Sequence, residues 1–202
     1  MKLLREILYK VEINSVVGNT SLSINKIEFD SRLISDGDMY IAITGVNVDG
    51  HSFISQAIQN GANCIVCEKT PDIKTDGIVY VNVKSSRKAL AIISSNYFDN
   101  PSSKLNLIGV TGTNGKTTIA TLLFDLYTEL EIKSGLISTV KISYDNKNFQ
   151  ANQTTPDSLS INRFLSEMVN SNVRYCFMEV SSHGIDQNRT DGLVFKGGIF
   201  TN

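Results

Sequence analysis

The stretch Leu107-Ile108-Gly109-Val110-Thr111-Gly112-Thr113-Asn114-Gly115-Lys116-Thr117-Thr118 runs an apolar strand directly into a glycine-rich loop ending in Gly-Lys-Thr. With the apolar helical pattern Ile119, Leu122, Leu123, Leu126 behind it and a further strand beyond, this part of the chain is committed to a βαβ unit, hence to an α/β fold built on a mostly parallel sheet. The loop is suited to a nucleoside triphosphate. Gly112 and Gly115 let the backbone turn and aim N–H groups inward, Lys116 can reach the outer phosphates, and the Thr117 hydroxyl can coordinate Mg²⁺. A helix starting near Lys116 adds the positive end of its dipole. The generic phosphate-loop pattern wants a glycine five residues before Gly115, where this chain has Val110.

Length allows one large or two small domains: 202 residues, 41% hydrophobic, with a formal net charge of -1. That near-neutral balance gives no basic surface for nucleic acid. The opening Met1-Lys2-Leu3-Leu4-Arg5-Glu6 interrupts its apolar run with charge before a signal-peptide core forms, and no stretch has the length of a membrane span, so a cytoplasmic protein is expected. Three cysteines without a secretion signal argue against a disulfide framework. Cys64-Ile65-Val66-Cys67 has the spacing of a redox or zinc pair, but it lies inside the apolar run Ala62 to Cys67 with no second pair to complete a metal site, and is expected to be strand core.

Periodicity predicts a short amphipathic helix over Leu3 to Val11, strands over Lys26 to Asp30 and Asp38 to Ile43, and a helix over Ser52 to Asn60. Strands follow at Cys64 to Cys67 and Gly77 to Val83, then a helix over Ser85 to Phe98 that buries Ala89, Leu90, Ile92 and Ile93. The polar segment Asp99-Asn100-Pro101-Ser102-Ser103 is the expected junction, dividing the chain into 1–101 and 102–202. The second part is expected to run as strand Leu105 to Val110, helix Lys116 to Leu130, strand Lys133 to Thr139, a hairpin over Lys141 to Gln150, helix Asp157 to Asn170, strand Arg174 to Val180, and a strand from Gly198 to Thr201. With nothing after that strand to cover its edge, the second domain is expected to be incomplete.

Met178-Glu179-Val180-Ser181-Ser182-His183-Gly184 places a carboxylate where a buried strand gives way to a loop, as ligand sites in α/β sheets do. Glu179 is either a Mg²⁺ ligand facing Thr117 or a satisfied strand-end acid. Ser181, Ser182 and His183 lack a nucleophile-elbow pattern, which disfavours serine-hydrolase chemistry. Gln153-Thr154-Thr155-Pro156-Asp157 precedes a helix and is explained by capping alone. Asp30-Ser31-Arg32 and Gly45-Val46-Asn47-Val48-Asp49-Gly50-His51 follow strands and, on residue chemistry, are polar turns without an assigned role.

Taken in order, Asp-Ser-Arg, Gly-Asp-Met-Tyr-Ile-Ala-Ile, Asp-Gly-His-Ser-Phe, Thr-Gly-Thr-Asn-Gly-Lys-Thr-Thr, Thr-Thr-Pro-Asp, Glu-Val-Ser-Ser-His-Gly-Ile-Asp-Gln-Asn-Arg and Ile-Phe-Thr-Asn resemble the Mur ligases over essentially the whole chain. The Glu-Val-Ser-Ser-His-Gly segment with Gln187 and Arg189 is most similar to the MurE type, which adds the third amino acid of the peptidoglycan stem peptide. The family writes its phosphate loop without the earlier glycine, which accounts for Val110.

The resemblance implies a small N-terminal α/β UDP-binding domain followed by the first part of a P-loop central domain. It implies that Phe29, Ser31, Val46, Asn47 and Val48 hold the UDP moiety, and that Thr154, Thr155, Ser181, Gln187 and Arg189 contact the muramoyl-peptide side. Gly112, Thr113, Asn114, Gly115, Lys116, Thr117 and Thr118 would hold ATP, with Lys116 and Glu179 as catalytic residues and Thr117 and Glu179 as Mg²⁺ ligands. Gln153 stands where the family often has asparagine. The implied reaction joins lysine or meso-diaminopimelate to UDP-N-acetylmuramoyl-L-alanyl-D-glutamate through an acyl phosphate, in a monomer that needs neither nucleic acid nor membrane. A C-terminal ATP-clamping domain would be missing from this chain, leaving it inactive alone. A MurF-type ligase or a non-catalytic nucleotide-binding relative are the alternatives.

Overall fold

A computed structural model describes residues 1–45 and 48–202, which form two compact units, Met1–Tyr97 and Phe98–Asn202. The division lies at the end of the long helix, just before a polar segment where Asp99 and Asn100 both take positive φ (60° and 51°).

The first unit contains β1 (Lys2–Leu3), α1 (Leu4–Ile7), β2 (Ile13–Val17), β3 (Ser23–Ile24), β4 (Ile27–Glu28), β5 (Asp38–Ile41), α2 (Ile54–Gln59), β6 (Ala62–Cys67), β7 (Val79–Val83) and α3 (Ser86–Tyr97). Its main sheet has the order β2-β7-β6-β5-β4, parallel from β4 to β7 with β2 antiparallel at the edge. The central strands are continuous apolar runs because both faces are covered. Tyr40, Ile65, Cys67 and Tyr80 pack with Ile54 and Ala57 of α2. α3 buries Ala89, Leu90 and Ile93 while Ile92 stays partly exposed.

The second unit contains β8 (Asn106–Thr111), α4 (Lys116–Glu129), β9 (Ser134–Ile137), β10 (Lys141–Tyr144), β11 (Lys147–Gln150), α5 (Ser158–Asn170), β12 (Tyr175–Glu179), α6 (Ser182–Asp186) and β13 (Gly197–Phe200). The sheet order is β11-β10-β9-β12-β8-β13, with β9, β12, β8 and β13 mutually parallel. Side-chain alternation splits the core into two layers. Phe177, Leu136 and Val110 meet Ala120 of α4, whereas Cys176, Met178, Leu107 and Ile137 meet Ile161, Leu165 and Met168 of α5. Met168 is fully buried, so Met168→Ala would cost about 2–5 kcal/mol.

Several elements differ from the sequence expectation for local reasons. The first helix stops at Ile7, and Lys10 (φ 62°) turns the chain into β2, a largely exposed strand whose Ile-Asn-Ser-Val-Val pattern does not alternate. The helix expected from Ser52 begins as a 3₁₀ turn, Gly50–Phe53, capped by the Asp49 side chain. The loop after β12 contains α6, capped by the Ser181 hydroxyl accepting from Gly184 N–H. The hairpin turns on two residues, Asp145 and Asn146, both with positive φ as a type I′ turn requires. On α4, Leu122 and Leu126 are 58% and 52% exposed, and the packed face is Ile119, Ala120, Leu123, Phe124 and Tyr127. Among the described residues no helix is long and apolar enough to cross a membrane.

Candidate functional site

Because β9, β12, β8 and β13 are parallel, their C-terminal ends share one edge of the sheet. Thr139 follows β9, Glu179 ends β12, the glycine loop follows β8, and Thr201 follows β13. The chain leaves β8 toward β9 on one side and leaves the neighbouring β12 toward β13 on the other, and such a reversal of direction is where α/β sheets bind ligands.

Gly115 (φ 81°) is the N-cap of α4, so the first N–H groups of the helix point out of its end without intrahelical partners. Gly112 takes φ 134°, and a Cβ there would fall 2.2 Å from Thr201 Oγ1. Glycine is required at that position by both backbone and neighbour. Lys116 Nζ folds back over the loop, donating to Gly112 O (2.8 Å) and Thr113 O (3.0 Å). Those acceptors are neutral carbonyls, which an anionic phosphate would outcompete.

Glu179 is fully buried, and three donors converge on its carboxylate. Thr117 Oγ1 donates to Oε2 at 3.0 Å, Thr139 N–H to Oε1 at 2.8 Å, and Thr139 Oγ1 lies 3.2 Å from Oε2. A hydroxyl from the first turn of α4 and a carboxylate oxygen from the end of β12 form a hard-oxygen pair of the kind Mg²⁺ takes when phosphates and water complete its shell. Among the described residues no cluster of three or more acidic, histidine or cysteine side chains could cage a metal alone. The residues present therefore fit a phosphate-shared Mg²⁺ rather than a protein-enclosed ion.

Next to this pair lies the Gln153–Thr155 turn. Thr154 Oγ1 lies 3.0 Å from Thr139 Oγ1, an alternative partner to Glu179 for that hydroxyl. Thr155 is 1% exposed, its hydroxyl 3.0 Å from Glu179 O and 3.1 Å from Ser181 Oγ while accepting from Ser181 N–H at 2.9 Å. Its side chain thus ties the turn to the end of β12 and to Ser181. Arg189 donates to Gln153 Oε1, to Thr155 O at 2.5 Å, and to Gln187 Oε1 at 2.6 Å through Nη2. Gln153, Thr154, Thr155, Ser181, Gln187 and Arg189 are one connected polar surface beside Glu179, while His183 is exposed on α6.

In the first unit, the loops after β4 and β5 leave the C-terminal ends of neighbouring parallel strands. Ser31 is 5% exposed, its hydroxyl donating to Gln56 Oε1 (2.8 Å) and its carbonyl accepting from Asn60 (2.8 Å), so α2 positions it. Phe29 is half-buried. Val48 is 57% exposed, with its carbonyl accepting from Gly45 N–H; Val46 and Asn47 lie outside the described residues. His51 Nε2 accepts from Glu68 N–H (2.9 Å), which puts the ring proton on Nδ1, donated to Asp49 Oδ1 (2.7 Å). Asp30 and Arg32 form an exposed bidentate pair at 2.7–2.9 Å. Cys64, Cys67 and Cys176 are free thiols buried in the sheets.

Comparison with known proteins converges on one family. The Mur ligase middle domain matches residues 110–202, and the Mur ligase family catalytic domain matches residues 23–98. The chain belongs to the Mur ligase family. It is 50% identical over 200 residues to a UDP-N-acetylmuramoyl-L-alanyl-D-glutamate--2,6-diaminopimelate ligase of Cytophaga hutchinsonii, covering 98% of this chain and 41% of that protein. A Clostridium tetani protein of the same name is 45% identical over 201 residues, with the same two coverages. A solved structure of such a diaminopimelate ligase superposes with a TM-score of 0.80 at 22% identity, covering 100% of this chain and 40% of that one. A MurF ligase from Thermotoga maritima, solved in complex with ADP, matches 78% of this chain and 32% of its own with a TM-score of 0.51 at 25% identity. The chain spans about 41% of the length of the curated relatives it matches.

Within this Mur ligase chain, the expected loop residues, Thr117 and Glu179 lie together, as do Thr154, Thr155, Ser181, Gln187 and Arg189. Two residues at this edge had no role assigned from the sequence, although Thr201 lies in the Ile-Phe-Thr-Asn segment. Thr139 and Thr201 are lone threonines after strands, and only the pairing of β9 with β12 and of β13 with β8 brings them to Glu179 and to the loop.

Proposed function

We propose that this chain supplies the nucleotide-sugar-binding part and the first half of the ATP-binding part of an ATP-dependent amide ligase that adds 2,6-diaminopimelate to UDP-N-acetylmuramoyl-L-alanyl-D-glutamate. The observation that carries the reading is the 3.0 Å pairing of Thr117 with the buried Glu179 beside the Lys116 loop. The choice of diaminopimelate follows the names of the similar ligases.

On this reading ATP lies against the head of α4, where the N–H groups of Gly115 to Thr118 receive phosphate oxygens and Lys116 exchanges its loop carbonyls for the terminal phosphates. Mg²⁺ held by Thr117 and Glu179 would offset phosphate charge. A carboxylate is too poor an electrophile to form an amide directly. An oxygen of the D-glutamate carboxylate bonds to the γ-phosphorus as the bond to ADP breaks. The amine nitrogen of diaminopimelate then bonds to the acyl carbon as phosphate leaves and the nitrogen gives up its proton. Thr154, Ser181, Gln187 and Arg189 orient the peptide, and Thr155 holds that surface in place. Positioning and charge neutralisation carry most of the acceleration in such a reaction. Phe29, Ser31 and the 46–48 segment hold the UDP moiety. A cytoplasmic monomer goes with this reading.

The test is calorimetric titration of the chain with UDP-N-acetylmuramoyl-dipeptide and, separately, with the tripeptide. Tighter binding of the dipeptide, weakened in Ser31→Ala, is expected. Preference for the tripeptide moves the assignment to the MurF step, and absence of binding at millimolar ligand rejects nucleotide-sugar binding by this chain.

A further inference from the structure

We infer that Thr201 is a positioning residue that holds the phosphate loop in its ligand-ready shape. The inference rests on the proposed nucleotide site and adds to it a residue from the strand on the far side of β8 from Glu179.

Thr113, Asn114 and Gly115 are exposed, so no packed side chains fix this part of the loop. Its backbone is gripped instead by the exit of β13. Thr201 N–H donates to Thr111 O at 2.8 Å, continuing the parallel ladder beyond Phe200. The Thr201 hydroxyl then reaches past the ladder, lying 2.5 Å from Asn114 O and 3.0 Å from Thr111 O. One hydroxyl proton serves one acceptor at a time, and Asn114 O is the nearer. The adjoining backbone oxygen, Asn202 O, accepts from Thr113 N–H (2.7 Å) and Asn114 N–H (3.0 Å). Asn114 is therefore held at both its N–H and its C=O.

The consequence follows from peptide geometry. The Asn114–Gly115 bond is trans, so its C=O and N–H point in opposite directions. Fixing Asn114 O on Thr201 turns Gly115 N–H away from β13. It also sets the start of α4, whose Lys116, Thr117 and Thr118 N–H groups follow Gly115 directly. The loop thus divides its donors: Thr113 and Asn114 anchor to β13, leaving Gly115 to Thr118 for phosphate. The fit is close enough to forbid a side chain at residue 112, where a Cβ would meet Thr201 Oγ1 at 2.2 Å and Thr201 O at 2.4 Å. A threonine that merely extended the strand would need only its backbone; the bond from its hydroxyl to Asn114 is what valine cannot make.

The experiment compares Thr201→Val, which keeps shape and strand preference, with Thr201→Ser, which keeps the hydroxyl, in the 202-residue chain. Amide hydrogen exchange at Thr113 and Asn114 is measured without ligand, alongside the melting temperature and the affinity for Mg·ATP. In Thr201→Val the loop amides are expected to exchange about tenfold faster and Mg·ATP to bind about tenfold more weakly, near 1.4 kcal/mol, at an unchanged melting temperature. Thr201→Ser restores both. Unchanged exchange in Thr201→Val, a serine variant that behaves like valine, or global unfolding of Thr201→Val and Thr201→Ala alike would overturn the inference. If the parent chain does not bind Mg·ATP, the nucleotide reading fails, and the exchange comparison still decides the role of Thr201.

Discussion

Thr117 and Glu179, 62 residues apart in sequence, meet through a 3.0 Å hydrogen bond because β12 lies beside β8 and its last residue falls level with Val110, just before the loop that leads to Thr117. A carboxylate at zero exposure must be satisfied by donors, and Thr117 and Thr139 supply them. Glu179→Gln tests whether the carboxylate is there for charge. The amide oxygen can still accept from Thr139 N–H and the amide nitrogen can donate to the threonine hydroxyls, so the melting temperature is expected to hold. Turnover in the full-length ligase, followed as ADP release with saturating ATP and Mg²⁺, is expected to fall at least about 10²-fold. A glutamine variant of near-parental turnover would make Glu179 a structural acid only.

Thr139 touches Glu179 at both oxygens, through its N–H and its hydroxyl, and its hydroxyl also reaches Thr154. It fixes the carboxylate and links it to the Gln153–Thr155 turn. Thr139→Val keeps the backbone bond and removes the side-chain ones. Half-saturation by Mg²⁺ is expected to rise on the order of tenfold, with a smaller change in the apparent KM for ATP, since outer groups that orient metal ligands typically matter at that scale. A uniform drop in kcat with unchanged Mg²⁺ dependence would reject this positioning role.

These two threonine contacts mark the limit of what was legible beforehand. The glycine loop, its strand and its helix are written in local pattern, and Gly112, Gly115 and Lys116 announce themselves by type and spacing. The largely apolar runs at Ala62 to Cys67 and Tyr175 to Met178 likewise read as strands. Thr139 and Thr201 depend on which strands are neighbours, information that no window around either residue contains. β2 was illegible for another reason: an exposed edge strand has little buried face to impose alternation. The helix α6 hid behind Gly184, a poor helix former, although Ser181 three residues before it was a capping signal. Leu122 and Leu126 followed the helical repeat yet point outward, because periodicity specifies an apolar stripe and not what covers it.

Acid should weaken the first unit through two loop carboxylates. The Arg32 guanidinium hydrogen-bonded to Asp30 holds that carboxyl below its ordinary value of 3.8, and the N–H and ring of His51 do the same for Asp49. Both groups bind protons more weakly folded than unfolded, so their contribution is complete well above pH 3.8 and is lost as pH falls through the lowered folded values. Both are solvent-exposed in part, and salt should blunt the effect. Melting of the first unit is expected to be flat between about pH 7 and 5 and to decline below about pH 4, less steeply in Asp49→Asn. An Asp49→Asn variant declining as steeply as the parent would remove Asp49 from the account.

The paired cysteines of β6 offer the last prediction, since their spacing admits redox or zinc chemistry while their setting does not. Cys64, Cys67 and Cys176 are all at zero exposure. Burial pushes the Cys67 thiol up to about 11, against a smaller opposing pull from Lys74, and pushes Cys64 and Cys176 higher still. The thiolate is the reactive and metal-binding form, so at pH 8 only about one Cys67 in a thousand would carry it. Disulfide exchange with a chromogenic reagent at pH 8 should therefore be orders of magnitude slower for the native chain than for free cysteine, and three thiols should react at once in denaturant. The native chain should also purify without zinc. Rapid labelling of two thiols in the folded chain, or one equivalent of bound zinc lost on alkylation, would restore Cys64 and Cys67 as a functional pair.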